Sequence, residues 1–148
     1  RLIEEKIEDD AHRLVSLAAF YLATENAPEA RRIAEKAVAL DPEFSGAYQT
    51  LGLAHRMNFD LEESARAYAK ALENDPESQT AKRSLADVRR ALGAHEEALR
   101  LYRELLEKTP SDAQAQNGLV LALFDAGRIA EAEAELEKAL AANPKNPA

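Results

Sequence analysis

Apolar side chains recur at spacings of three and four residues along nearly the whole chain, and the recurrence breaks at regular places. Ile3 and Ile7 begin the pattern and Leu14, Leu17, Ala18 and Tyr21 continue it, which predicts one long helix over residues 1 to 24. The stripe breaks at Glu25–Asn26. Asn26 can cap a new helix, and Pro28 suits a first turn, where its missing N–H has no partner to lose. That helix is predicted to reach Leu40, because Asp41 precedes Pro42 and the residue before a proline is pushed out of the α region. Helices follow over Ser45 to Met57 and Leu61 to Asn74, the second opened by Asp60 and Glu63 at the spacing of a capping box. Two more are predicted over Ser78 to Leu92 and His95 to Lys108, with Gly93 as the glycine just past a helix end. The last pair covers Ala113 to Ala126 and Ile129 to Ala142, with Gly127 between them.

The breaks are periodic. Pro42, Pro76, Pro110 and Pro144 follow one another at intervals of 34 residues, and a strict period of this length turns the question of fold into one of stacking. Superposing the units aligns Leu17 with Leu51, Leu85 and Leu119, and Ala30 with Ser64, Ala98 and Ala132. Ala18, Gly52, Ala86 and Val120 share another position, as do Ala37, Ala71, Leu105 and Ala139. Small groups at fixed places let paired helices approach closely, while Tyr48, Tyr68, Tyr102 and Leu136 fill the space between neighbouring pairs.

Composition narrows the function more than the shape. Of 148 residues 46% are apolar and 31% charged, with the helix formers Ala, Leu, Glu, Arg and Lys prominent. A net charge of -8 gives no electrostatic footprint for nucleic acid or an anionic membrane. The basic run from Lys82 to Arg90, KRSLADVRR, lacks interleaved aromatics and does not change that. Without cysteine there is neither a disulfide framework nor a thiolate metal site. The first residues, RLIEEKIEDD, are too charged for a signal-peptide core, and no apolar run approaches membrane-spanning length. A cytoplasmic location is expected, with a periplasmic one left open. His12, His55 and His95 fall at different places in the repeat and do not converge as metal ligands would. No phosphate loop, nucleophile motif or carboxylate pair stands out, so no catalytic residue, metal or cofactor is expected.

The pattern carried by Tyr48, Leu51, Gly52, Ser64, Tyr68, Ala71 and Pro76 resembles the tetratricopeptide repeat (TPR), whose period is also 34 residues. Four repeats fit, at residues 11–44, 45–78, 79–112 and 113–144, with residues 1–10 as a helical extension and 145–148 as a tail. The repeats differ too much for a consensus-designed array, and the chain reads as natural and bacterial. The resemblance implies an all-α, right-handed α-solenoid. It also has departures: Lys82 and Arg89 stand where the first helix of a repeat is usually apolar or aromatic, and His55 where Tyr is common.

In this family the first helices line a concave groove. Matched position by position, the resemblance implies that repeat one contributes Val15 and Leu22, and repeat two Gln49, Leu53, Arg56 and Met57. Repeat three adds Arg83, Asp87 and Arg90, and repeat four Asn117, Leu121 and Phe124. A peptide with apolar anchors at its ends and carboxylates over the arginines would suit this set. Equally, Asp87 lies four residues after Arg83 and three before Arg90, so these charges can pair along their own helix. The positions that clamp chaperone C-terminal carboxylates in some members hold Val15, Ala19, Thr50, Thr80 and Ser84, which do not reproduce that clamp. The expected function is therefore a non-catalytic scaffold for a protein or peptide partner. The alternatives are a recruiting arm of a larger enzyme and a self-assembling structural protein. Stacked repeats need covered ends. Leu119, Leu123, Leu136 and Leu140 are expected to lack a neighbour, and Leu2, Ile3 and Ile7 to fold back or self-associate weakly.

Overall fold

The structure is a computed structural model that describes residues 10–142. Among these residues there are eight helices and no strand. In chain order they are α1 (Ala11–Ala23), α2 (Ala27–Leu40), α3 (Ser45–Met57), α4 (Leu61–Asn74), α5 (Gln79–Ala91), α6 (His95–Lys108), α7 (Ala113–Asp125) and α8 (Ile129–Ala142). The expected single helix over residues 1 to 24 is corrected at its start. Asp10 is extended (φ −129°, ψ 110°) and its carboxylate accepts the N–H of His12 at 2.9 Å, so α1 begins at Ala11. Ile3 and Ile7 of the expected extension, and Pro144 with the tail, lie outside the described residues.

Each internal turn repeats its hydrogen bonds as faithfully as its prolines. After the first helix of every pair a residue with positive φ appears: Glu25 (58°), Phe59 (63°), Gly93 (80°) and Gly127 (76°), each 34 residues after the last. The next residue donates its N–H to a carbonyl five residues back, from Asn26 to Tyr21, Asp60 to His55, Ala94 to Arg89 and Arg128 to Leu123, at 2.8–2.9 Å. This is the Schellman closure, which satisfies helix-end carbonyls by a left-handed residue. Glycine enters that region freely at Gly93 and Gly127, whereas Glu25 and Phe59 do so against steric resistance. After the second helices, Asp41, Asp75 and Thr109 share one extended conformation (φ −134° to −141°) before their prolines.

Helix starts are less uniform. Asn26, Ser78 and Asp112 accept N–H groups of Glu29, Ala81 and Ala115 at 3.4, 3.2 and 3.1 Å. Asp60 does not, which corrects the expected capping box. Its carboxylate lies instead 3.9 Å from Nδ1 of His55, and Glu63 is held by Arg66 at 2.5 Å.

The contacts divide the chain into two units, Arg1–Ala81 and Lys82–Ala148. In the first, Leu14 and Ala18 of α1, Ile33, Ala34 and Ala37 of α2, Ala47 and Leu51 of α3, and Ala67 of α4 form one buried cluster. Ser64 stands among alanines at its repeat position because its hydroxyl donates to the Gly52 carbonyl at 2.7 Å, so it is fully buried yet satisfied. In the second unit, Leu99, Tyr102 and Leu105 of α6 and Ala115, Leu119, Ala122 and Leu123 of α7 are buried. Lys82 and Arg89, the two polar departures on α5, reach across to α6 and pair with Glu104 at 3.4 Å and Glu97 at 2.9 Å. The expectation for the last repeat is half corrected: Leu119 and Leu123 are buried, whereas Leu136 and Leu140 remain 44% and 45% exposed.

Candidate functional site

Every residue singled out for partner contact lies on the first helix of a pair. In the first unit α1 carries Val15 and Leu22, and α3 carries Gln49, Leu53, Arg56 and Met57. In the second unit α5 carries Arg83, Asp87 and Arg90, and α7 carries Asn117, Leu121 and Phe124. Spacings of four and three residues keep each set on one side of its helix. Large apolar groups stay in water there: Leu53 is 39% exposed, Leu121 47% and Phe124 40%. Val15, Leu22 and Met57 are half-buried, while Arg56 and Asn117 are exposed.

The electrostatics differ from what sequence spacing suggested. Asp87 accepts the hydroxyl of Tyr102, which is itself fully buried. The two arginines of α5 turn to α7 and its C-terminal end: Arg83 to Asp112 at 3.4 Å and Arg90 to Asp125 at 3.3 Å. Asp112 thus does two things, capping α7 and holding Arg83. Burial, and after it the Asp87 carboxylate, push the Tyr102 phenol well above its ordinary range, so it remains a donor. Burial works against the charge of Arg90, but the Tyr102 and Asp125 side chains outweigh it and hold the guanidinium ionised. In the first unit Gln49 is held by the hydroxyls of Ser45 (3.3 Å) and Ser78 (3.5 Å). Arg56 has no ion-pair partner among the described residues.

Asp112, Asp125 and Tyr102 were not foreseen as parts of this arrangement. The signal for the aspartates was present in outline, because Asp112 precedes a predicted helix and Asp125 ends it, but the identity of their partners depends on the gap between helices. The histidines do not form a metal set: His12 stacks on Phe44 with ring centroids 4.2 Å apart, and His55 is buried. Among the described residues no group of three or more His, Cys, Asp or Glu side chains could hold a metal ion. A 500 Å3 depression on α6 is lined by Glu96, Glu97, Glu104 and Glu107 with Arg100 and Arg103, and so lacks the apolar lining typical of small-molecule sites. Among the described residues no helix is long and apolar enough to cross a membrane.

Comparison with known proteins agrees with this architecture. The crystal structure of MamA protein superposes with a TM-score of 0.85 at 25% identity, over 93% of this chain and 75% of that one. Residues 41 to the end of MamA from Desulfovibrio magneticus RS-1 superpose with a TM-score of 0.82 at 18% identity, over 92% and 77%. YrrB, described as a TPR protein with an unusual peptide-binding site, gives 0.81 at 21% identity, over 95% and 72%. No curated protein sequence matches the chain. The tetratricopeptide repeat family model matches three overlapping spans, residues 17–79, 50–113 and 83–147, and with the eight helices and their 34-residue turns it makes the chain a member of the tetratricopeptide repeat family, with that family's all-α solenoid fold.

Proposed function

We propose that this protein is a non-catalytic interaction scaffold whose first-helix faces hold a segment of a partner protein. The observation that carries the reading is the exposure of Leu53, Leu121 and Phe124 on faces whose polar residues are ordered. Exposed large apolar groups rimmed by fixed polar groups are what an interaction surface needs and what a solvated helix face lacks. Membership of a family built for protein contacts supports the same reading, and so does the peptide-binding site described for YrrB.

The preference for acidic partners is narrowed by the ion pairs. A partner carboxylate approaching Arg83 or Arg90 has to compete with Asp112 or Asp125, whereas Arg56 is free of such a competitor among the described residues. Panning a displayed library of random dodecapeptides on the purified chain tests this. The expected winners carry apolar side chains and a carboxylate, and bind at least tenfold more weakly to Leu53→Glu, Leu121→Glu or Phe124→Glu. Arg56→Glu is expected to weaken acidic peptides more than Arg83→Glu does. Selected peptides indifferent to all of these substitutions would remove the first-helix faces from the reading.

A further inference from the structure

The second unit shows, within one chain, how a second helix is covered and how the next one is left. On α6 the residues Leu99, Tyr102 and Leu106 lie at i, i+3 and i+7. Leu99 and Tyr102 are fully buried, and α7 rides on Tyr102 through Gly118, so closely that a Cβ there would meet the ring. One repeat later the same positions on α8 are Glu133, Leu136 and Leu140. The two leucines, one turn apart, have no such helix on them and stay 44% and 45% exposed. Beside them runs a second row, Glu133 and Glu137, also one turn apart and exposed. The other acids of α8 are engaged, Glu131 by Arg128 and Glu135 by Lys138, but Glu133 and Glu137 have no ion pair among the described residues.

We infer that this face of α8 is a docking site for an amphipathic helix of another protein, with small or aliphatic side chains over Leu136 and Leu140 and a row of lysines or arginines over Glu133 and Glu137. The contact continues the helix-on-helix packing of α7 on α6, with two changes that set its specificity. Leu136 is smaller than Tyr102, so the incoming helix can carry alanine where α7 needs Gly118. Glu133 replaces a buried leucine, and a buried carboxylate needs a cationic partner, so a wholly apolar helix is disfavoured. The site is separate from the first-helix faces and does not depend on what they bind.

The test uses the whole chain and two labelled eighteen-residue helical peptides with alanine and leucine on one stripe. One carries lysines at i and i+4 beside that stripe, the other glutamates, and binding is read by fluorescence anisotropy. The lysine peptide is expected to bind at least tenfold more tightly than the glutamate peptide, and to lose at least tenfold on Leu136→Glu or Leu140→Glu. The double variant Glu133→Lys with Glu137→Lys is expected to reverse the preference. Leu121→Glu, on the first-helix face of α7, is expected to leave binding unchanged. Circular dichroism of each variant, matching the parent, excludes unfolding as the cause. Absent binding, binding indifferent to Leu136→Glu, or binding lost on Leu121→Glu would each overturn the inference. So would sedimentation showing a dimer of the parent chain that Leu136→Glu dissolves, since the occupant would then be a second copy.

Discussion

Replacing Gly118 by alanine separates two forces that act in opposite directions on the same atom. Gly118 lies inside α7, where alanine is favoured over glycine by about 1 kcal/mol on backbone grounds alone. The added Cβ, however, would stand 2.5 Å from Cζ of Tyr102 and closer still to Cε1. Tyr102 cannot retreat freely, because it is fully buried and its hydroxyl is bound to Asp87. Overpacking of this kind costs about 1–3 kcal/mol. Losing a hydrogen bond to a charged acceptor adds about 1.5–3 kcal/mol if the ring is displaced. Against the gain of about 1 kcal/mol from helix propensity, the net expectation is a loss of about 2–4 kcal/mol. Urea unfolding followed by circular dichroism measures it. Gly52→Ala serves as the milder comparison, since its Cβ would sit 2.9 Å from three atoms of the Tyr68 ring. Adding Tyr102→Leu to Gly118→Ala is expected to recover part of the loss by opening space. A Gly118→Ala variant as stable as the parent, or more so, would show that the contact between α6 and α7 at this point is looser than described.

Other expectations follow from the caps, the turns and the buried phenol. Asp112→Ala should cost about 1–2 kcal/mol, because it removes the cap on Ala115, while Asp60→Ala, at a start with no side-chain cap bond, should cost under about 0.5 kcal/mol; chemical denaturation of both decides it. Phe59→Gly should leave the melting temperature unchanged or raise it, because Phe59 is 89% exposed and held at positive φ where Gly93 and Gly127 sit without strain; a lower melting temperature would mean that the ring contributes packing. The phenol of Tyr102 has its pKa raised in the folded state by burial and then by Asp87, so its contribution to stability is whole below about pH 10, the unfolded value, and declines as pH rises from there. A Tyr102→Phe variant is expected to show a shallower alkaline loss in thermal melts at stepped pH, and identical slopes would count against the raised pKa.

The fold was largely legible because its determinants are local. Five of the eight helices, α2, α3, α4, α6 and α8, have the bounds that caps, prolines and apolar spacing indicate. The start of α1 was not, since Ile3, Ile7 and Leu14 share a helical spacing that says nothing about Asp10, whose carboxylate ends the run by binding the His12 N–H. Asp60 was misread for a related reason. A capping box is defined by types at a spacing, yet Asp60 closes the preceding turn through its own N–H to the His55 carbonyl, and its carboxylate lies toward the His55 ring. One residue serving the end of α3 and the start of α4 cannot be assigned to either from spacing alone.

The candidate site was legible in its membership and not in its wiring. Helical periodicity indicates which residues share a face, and Arg83, Asp87 and Arg90 do share one. It cannot rank an exposed partner on the same helix, worth about 0.3–0.5 kcal/mol, against a buried donor on the next. Tyr102 decides the matter. A fully buried phenol without an acceptor would bear the whole cost of its desolvated hydroxyl, whereas Arg83 and Arg90, being long and part-exposed, can find carboxylates elsewhere. Asp87 therefore goes to the group that has no alternative, and the arginines move to Asp112 and Asp125. The charge pattern on the α5 face is in this sense a consequence of what lies beneath it. A partner that reads this face meets arginines whose positions are already set by α7, so changes at Asp112 or Asp125 should alter recognition without touching the partner at all.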